Sequence, residues 1–194
     1  MLNSALEIYD DSFEMIEGEK FMSPSPNVNH SLITSRIASI IGTYAYVHMK
    51  GYVLPEVDVH FPDGNLFKPD LTVISFANRE IMMNRRNIIQ GVPDMTVEIF
   101  SRSTRKRDVT IKKNIYERNG VKEYWTIDPF SKTVEVFILQ EDGKFDDGTE
   151  YFYYEKEEWE DLTEEEKQNS KQEITLSIFD DLVVKVDDIF GWCI

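Results

Sequence analysis

Two acidic residues stand in strand-like stretches where local propensity does not favour them. Asp70 follows Pro69 at the start of "DLTVIS", and Glu98 lies deep in the apolar run "MTVEIF". Proline cannot donate to a strand ladder, and Asp and Glu are both depleted in strands. A charged glutamate buried without a partner would cost several kcal/mol, so we expect a metal ion or a basic group to compensate Glu98.

Each of these residues also has a plain structural interpretation. Asp is common in the turn before a strand, and Glu98 could lie on a solvated strand face or pair with an arginine. The pair is more informative, because neighbouring strands can converge two hard oxygen ligands on one Mg²⁺ or Mn²⁺. A strand carbonyl would supply a third ligand, and this donor set is typical of phosphoryl transfer.

A second Pro-Asp pair, Pro93-Asp94, precedes the strand that carries Glu98. Asp94 and Glu98 would be about 13 Å apart along one extended strand at a rise of ~3.3 Å per residue. That separation is too long for chelation of one ion. We therefore interpret Asp94 as a turn residue.

The elements that must position these carboxylates follow from apolar periodicity and turn residues. "FEMIEGEKFM" predicts a hairpin that turns at Glu17-Gly18. Apolar residues at three- and four-residue steps predict a helix from Asn27 to about Met49. "YVLPEVDVHF" and "LTVIS" predict adjacent strands.

The second half of the chain continues this alternation. After a polar, partly helical connection over 76–90 we expect the strand "MTVEIF", a basic helix over 104–119 and the strand "KEYWTID". A hairpin over 133–139 and 150–154, an acidic helix "KEEWEDLTEEEKQ" and a β-rich end should follow. This order predicts a mixed α/β fold.

Length and charge set further bounds. The 194 residues favour a single domain over 1–194, and the lone Cys193 permits no internal disulfide. The stretch 141–173 carries a net charge of −10 of the chain's −15, whereas 101–113 is basic. The overall charge argues against tight binding to plain duplex DNA at physiological salt. The sequence shows no stretch typical of a membrane span or of a secretory signal, so we expect a cytoplasmic protein.

Several motifs resemble one known group of proteins. They are "PDL" at 69–71, "GVPDMTVEIFSRST" at 91–104, the series Asp108, Lys112 and Tyr116, and "NGVKEYWTIDP" at 119–129. Their order and spacing resemble the PD-(D/E)XK nuclease superfamily, and within it the prokaryotic putative restriction endonuclease family that is abundant in cyanobacteria. "MIEGEKFMSPSPNVNH" and "FDDLVVKVDDIF" resemble its opening and closing segments.

The resemblance implies a restriction-endonuclease-like core, with a central mixed sheet flanked by helices, and metal-dependent cleavage of DNA phosphodiester bonds. It implies that Asp70, Glu98 and the Ile99 carbonyl hold Mg²⁺ or Mn²⁺. The superfamily's lysine should stand two residues after the glutamate, where this chain has Phe100. The family's pattern gives that role to Lys112 instead. A homodimer is also implied.

Other residues match family positions or suit a phosphate contact. Glu19 is a substitute for the acidic residue that the superfamily places on its first helix, since residues 27–49 contain none. His30 and Tyr116 are accessory candidates. The candidate DNA-phosphate contacts follow the Glu98 strand: Arg102, Arg105, Lys106 and Arg107.

Two other functions remain open at this point. Phe100, the helix without a carboxylate and the −15 charge favour a catalytically silent protein of nuclease fold that acts as a binding or assembly module. The acidic stretch 141–170, an insertion in the predicted domain, could be a protein-binding arm or a DNA mimic. Its deletion should change DNA affinity or oligomeric state in that case.

Overall fold

The computed structural model describes residues 13–22, 26–84, 88–100 and 108–191, and gives only the backbone of 108 and 109. The strands are β1 (Phe13–Ile16), β2 (Glu19–Met22), β3 (Gly51–Pro55), β4 (Val59–His60), β5 (Leu66–Phe67), β6 (Leu71–Ser75), β7 (Ile89–Gln90), β8 (Met95–Ile99), β9 (Glu123–Asp128), β10 (Thr133–Ile138), β11 (Thr149–Phe152), β12 (Glu173–Thr175) and β13 (Val183–Lys185). The helices are α1 (Val28–Val47), α2 (Lys113–Asn119), α3 (Lys156–Asp161), α4 (Glu164–Asn169) and α5 (Val186–Phe190). A 3₁₀ segment covers Phe76–Met82, and a π-helical turn, Asp108–Lys112, leads into α2.

Two sheets dominate the described part of the chain. The larger has the order β11-β10-β9-β8-β6-β3, in which only β8 and β9 pair in parallel. The smaller has the order β2-β1-β5-β4-β7, and β12 and β13 form a separate hairpin. Helices flank the sheets, which confirms the predicted mixed α/β class.

The larger sheet buries both of its faces. On one face Met95, Val97 and Ile99 of β8 join a core cluster with α1, α5 and the β12-β13 hairpin. On the other face Tyr124 and Phe137 join a second cluster with α2 and the smaller sheet. Strand alternation therefore sends odd-numbered β8 residues into the first cluster and aims Glu98 toward the second.

The N-terminal hairpin and α1 form for the predicted local reasons. Glu17 and Gly18 both have positive φ, 52° and 83°, which suits a tight two-residue hairpin turn. Asn27 caps α1, because its side chain accepts a hydrogen bond from the His30 amide at 3.0 Å. These local features fix where the chain enters α1.

Three predicted elements differ from the observed ones. The single run "YVLPEVDVHF" divides into β3 and β4 in different sheets, because the chain breaks at Glu56, whose φ is 50°. The single acidic helix is two helices, because Leu162 is extended and Thr163 caps α4 with a capping box to Glu166. The basic helix begins its described part with the π-helical turn, and its predicted first residues, 104–107, lie outside the described residues.

A buried glutamate ties the C-terminal part to the larger sheet. Glu123 of β9 is fully buried, and its Oε2 accepts hydrogen bonds from the Ser177 amide and hydroxyl and from the Ile178 amide. Its Oε1 accepts one from Trp125 Nε1 at 2.7 Å. The segment before β13 is thus anchored on β9 by a single carboxylate.

None of the helices in the described ranges has the length and apolar character needed to cross a membrane.

Candidate nuclease site

The carboxylates of Asp70 and Glu98 come together where β6 begins and β8 ends. The antiparallel register pairs Leu71 with Val97, so one further step places Asp70 opposite Glu98. Residues directly opposite on neighbouring strands have Cβ atoms about 5 Å apart. The Ile99 amide donates a 2.6 Å hydrogen bond to Asp70 Oδ2, which fixes the aspartate at the end of β8. The Pro-Asp start of this strand therefore has a structural role.

His30 holds the other oxygen of Asp70. It lies in the first turn of α1, and its Nε2 is 2.9 Å from Asp70 Oδ1. Burial lowers the pKa of His30, but the hydrogen bond to Asp70 and its negative charge outweigh that effect and raise the pKa above its usual value. Nδ1 of His30 is buried and has no partner among the described residues, so the contact with Asp70 runs through Nε2 alone.

The Lys112 ammonium compensates Glu98. Its Nζ lies 2.9 and 3.0 Å from the two carboxylate oxygens of Glu98, and both side chains are almost wholly buried. Lys112 is the last residue of the π-helical turn, a rare conformation that is frequent at functional sites. The basic partner that the position of Glu98 requires is therefore Lys112.

Tyr116 follows Lys112 by one helical turn and contacts the same carboxylate. Its hydroxyl donates a 2.6 Å hydrogen bond to Glu98 Oε1, and the side chain is completely buried. Burial raises the pKa of Tyr116 well above its usual value, and the adjacent negative charge of Glu98 adds to this effect, so the hydroxyl stays protonated and donates. The ring packs against Phe67 and Tyr124, with centroids 5.3 and 4.9 Å away.

A third buried carboxylate belongs to Glu14 of β1, which sequence analysis missed. Glu14 Oε1 lies 2.7 Å from Lys112 Nζ and accepts a 3.2 Å hydrogen bond from the Lys68 amide. Its side chain is 2% exposed. The signal was present, since Glu14 interrupts an apolar strand, "FEMI", just as Glu98 interrupts "VEIF".

The charges of this cluster favour an added cation. Among the described side chains it contains the carboxylates of Glu14, Asp70 and Glu98 against one ammonium and one histidine. Hard oxygen donors suit Mg²⁺ or Mn²⁺, and Mg²⁺ is commonly bound by one or two carboxylates with several waters. Within the described ranges no group of three or more His, Cys, Asp or Glu side chains is arranged to hold a metal ion. The oxygen donors that could hold such an ion together with water are the two carboxylates Asp70 and Glu98 and a main-chain carbonyl.

Comparison with known proteins identifies the family. Residues 4–164 match a family model described as "Uma2: Putative restriction endonuclease". The chain belongs to the Uma2 family. This finding confirms the family that the motifs indicated, and it agrees with the restriction-endonuclease-like superfamily.

A solved structure supports the fold of this Uma2 chain. It is the crystal structure of a putative nuclease belonging to DUF820 from Anabaena variabilis, with a TM-score of 0.72 and 22% sequence identity. The match covers 95% of this chain and 92% of that one. No curated protein matches the chain significantly.

In the Uma2 chain the predicted site residues divide into three groups. The residues that lie together in one cluster are Asp70, Glu98, Ile99, Lys112, His30 and Tyr116. Glu19 is exposed on β2 and makes no hydrogen bond or ion pair with the described side chains of this cluster. The predicted phosphate contacts lie outside the described residues: Arg102, Arg105, Lys106 and Arg107.

Two further positions clarify the pattern. Phe100, at the superfamily's usual lysine position, is 5% exposed. Asp94 lies just before the first residue of β8, whereas Glu98 lies near the end of that strand. The Asp94 carboxylate accepts hydrogen bonds from the Ser75 amide and from Lys122 Nζ. Burial raises the pKa of Asp94, but these donors lower it more, so the net pKa is below the usual value. Asp94 is a buried structural carboxylate rather than a simple turn residue.

Proposed function

We propose that this protein is a metal-dependent endonuclease that hydrolyses DNA phosphodiester bonds at the Asp70-Glu98-Lys112 site. The observation that carries the proposal is the convergence of Asp70 and Glu98 at one end of β6 and β8, with the Lys112 ammonium on Glu98. Membership of the Uma2 family supports DNA as the substrate. Metal dependence is proposed from the donor set.

The proposed metal ligands are Asp70, Glu98 and the Ile99 carbonyl. The Ile99 amide points toward Asp70, and the N–H and C=O groups of one strand residue point to the same side, which favours the carbonyl as a ligand. When bound, Mg²⁺ or Mn²⁺ lowers the pKa of a coordinated water and neutralises charge on the scissile phosphate.

The chain's own residues would orient the reaction. His30 holds Asp70 through Oδ1, and Tyr116 holds Glu98 through Oε1, so both carboxylates keep a fixed direction. Lys112 would stabilise the developing charge or orient the attacking water. In-line attack by water would leave a 3′-hydroxyl and a 5′-phosphate.

The charge distribution bears on the substrate. With a net charge of −15, we expect weak binding to plain duplex DNA at physiological salt. The proposed phosphate contacts follow the Glu98 strand in sequence: Arg102, Arg105, Lys106 and Arg107. A homodimer would suit cleavage of both strands, and light scattering of the purified chain would measure the oligomeric state.

The first test is a nicking and cleavage assay on supercoiled plasmid and single-stranded circles with Mg²⁺, Mn²⁺ or EDTA. The test variant is Asp70→Asn, because asparagine keeps an oxygen for the Ile99 amide and removes the charge. The matched control is Lys113→Met, which changes the lysine beside Lys112 that lies over the Phe137 ring at 3.6 Å instead of at the cluster. We expect metal-dependent cutting by wild type and Lys113→Met, and a loss of at least ~100-fold in Asp70→Asn.

A second readout does not require the correct substrate. Mn²⁺ should raise the melting temperature of wild type and of Lys113→Met, and should not raise that of Asp70→Asn. If no substrate is cut and Mn²⁺ leaves every melting temperature unchanged, the proposal is wrong. The alternative, a catalytically silent binding or assembly module, would then account for the buried Phe100.

A further inference from the structure

Glu14 connects the two segments that carry the proposed site. Its Oε1 contacts the Lys112 ammonium at 2.7 Å and the Lys68 amide at 3.2 Å. Lys68 stands two residues before Asp70, at the end of β5, and β5 pairs with β1 through Met15 and Leu66. One oxygen of Glu14 therefore fixes the chain that leads into Asp70 relative to the helix that carries Lys112.

We propose that Glu14 is a positioning residue that holds the Lys112 ammonium at the site. This proposal rests on the proposed function for its catalytic consequence, whereas the contact itself is independent of it. Lys112 has three N–H donors, and in the described part of the chain two Glu98 oxygens and one Glu14 oxygen lie within hydrogen-bond distance of its Nζ. Without Glu14, the ammonium would lose one of these acceptors and could swing about the Glu98 carboxylate.

A positioning role explains the contacts better than direct metal binding. The Glu14 oxygen on Lys112 also accepts the Lys68 amide, so both of its usual acceptor directions are engaged. Glu14 belongs to the smaller sheet, whereas Asp70 and Glu98 meet where β6 begins and β8 ends in the larger one. The Glu14 carboxylate lies 2.7 Å from the Lys112 ammonium.

The first experiment measures melting temperatures in EDTA for Glu14→Gln, Lys112→Met and the double variant. Lys112→Met removes the ammonium that lies between two buried carboxylates, and we expect a fall on the order of 10 °C. Glu14→Gln should lower the melting temperature of wild type, because it weakens the contact with the ammonium. It should raise that of Lys112→Met, because it removes one of two carboxylates that repel each other when the ammonium is gone. The matched control is Glu17→Gln, which changes an exposed glutamate of the same hairpin that pairs with Arg118. Its effect should be small and equal in both backgrounds.

The second experiment separates positioning from metal binding. In Glu14→Gln we expect a cleavage rate at saturating Mn²⁺ roughly 10–100-fold below wild type, with the half-saturating Mn²⁺ concentration unchanged. In the Lys112→Met background, Glu14→Gln should reduce the remaining rate no further. The Mn²⁺ dependence of the melting temperature should also be the same in Glu14→Gln and wild type.

Two results would overturn the proposal. In the first, Glu14→Gln changes the melting temperature in the same direction and by the same amount in wild type and in Lys112→Met. The other is a rise in the half-saturating Mn²⁺ concentration, which would make Glu14 a metal ligand. If wild type cuts no substrate, the proposed function fails, while the melting-temperature cycle still decides whether Glu14 holds Lys112.

Discussion

Replacement of Glu123 by glutamine tests the anchor between β9 and the C-terminal segment. The carboxylate accepts hydrogen bonds at both oxygens, from Trp125 at Oε1 and from Ser177 and Ile178 at Oε2. Glutamine has only one acceptor oxygen, so its amide N–H₂ group must face either the Trp125 donor or the donors of Ser177 and Ile178. The best orientation leaves the indole N–H of Trp125 against an amide N–H.

The expected loss follows from that mismatch. A buried donor without a partner costs about 1–3 kcal/mol, so we expect the free energy of unfolding to fall by about 2 kcal/mol in Glu123→Gln. For a chain of this size the melting temperature should fall by roughly 4–8 °C. Urea titration followed by far-ultraviolet circular dichroism would measure the change. Glu173→Gln, which changes an exposed glutamate of β12, is the matched control and should be nearly neutral.

The same variant has a predicted pH dependence. Burial raises the pKa of Glu123, and its hydrogen bonds from Ser177 and Trp125 only partly oppose this effect. In the unfolded chain the pKa of this carboxyl is near 4.5, and in the folded protein it is higher. The carboxyl therefore contributes most to the stability of the folded state below pH 4.5. This contribution is lost as pH rises through the folded-state pKa. The difference in unfolding free energy between wild type and Glu123→Gln should therefore grow as pH falls from 8 to 5. A variant as stable as wild type, or a difference that shrinks over this range, would refute the reasoning.

Three further substitutions have defined outcomes. Tyr116→Phe removes a hydrogen bond to Glu98 and should lower the unfolding free energy by about 1–2 kcal/mol in urea titrations; no change would mean that the bond contributes nothing. Asp94→Asn removes a buried charge paired with Lys122 and should lower the free energy of unfolding by about 2 kcal/mol at pH 7. The loss should become smaller as pH falls, because the folded-state pKa of Asp94 is lowered and its contribution to stability disappears in acid. Thr163→Ala removes a helix cap worth about 1 kcal/mol and should speed amide exchange in α4 alone.

Local patterns were sufficient for much of the fold. Alternation predicted the opposite orientations of neighbouring β8 side chains, and Asn27 and Gly120 mark helix boundaries as expected, the latter with a φ of 87°. The break at Glu56 was not predictable from propensity, because β-rich residues stand on both sides of it. It depends on which sheet each half joins, and that choice is made by long-range pairing.

The site was predicted unevenly for a related reason. Asp70 and Glu98 are conspicuous because each conflicts with its own strand, whereas only the family resemblance indicated Lys112. Glu14 has the same local signal as Glu98, but a short hairpin is usually solvated on one face. Glu14 is buried because the hairpin joins the smaller sheet, whose Phe67 packs against Tyr116 of α2. The sequence of the hairpin does not contain that information.

Glu14 and Glu98 share the Lys112 ammonium, and this arrangement bears on how the site is inherited. Loss of Lys112 would leave two negative charges close together in the interior, so it would reduce the amount of folded protein before any effect on cleavage could be selected. A lineage released from selection for cleavage should therefore keep Lys112, or exchange all three residues together for apolar ones of similar volume. Asp70, which is more exposed, should be lost first in such a lineage.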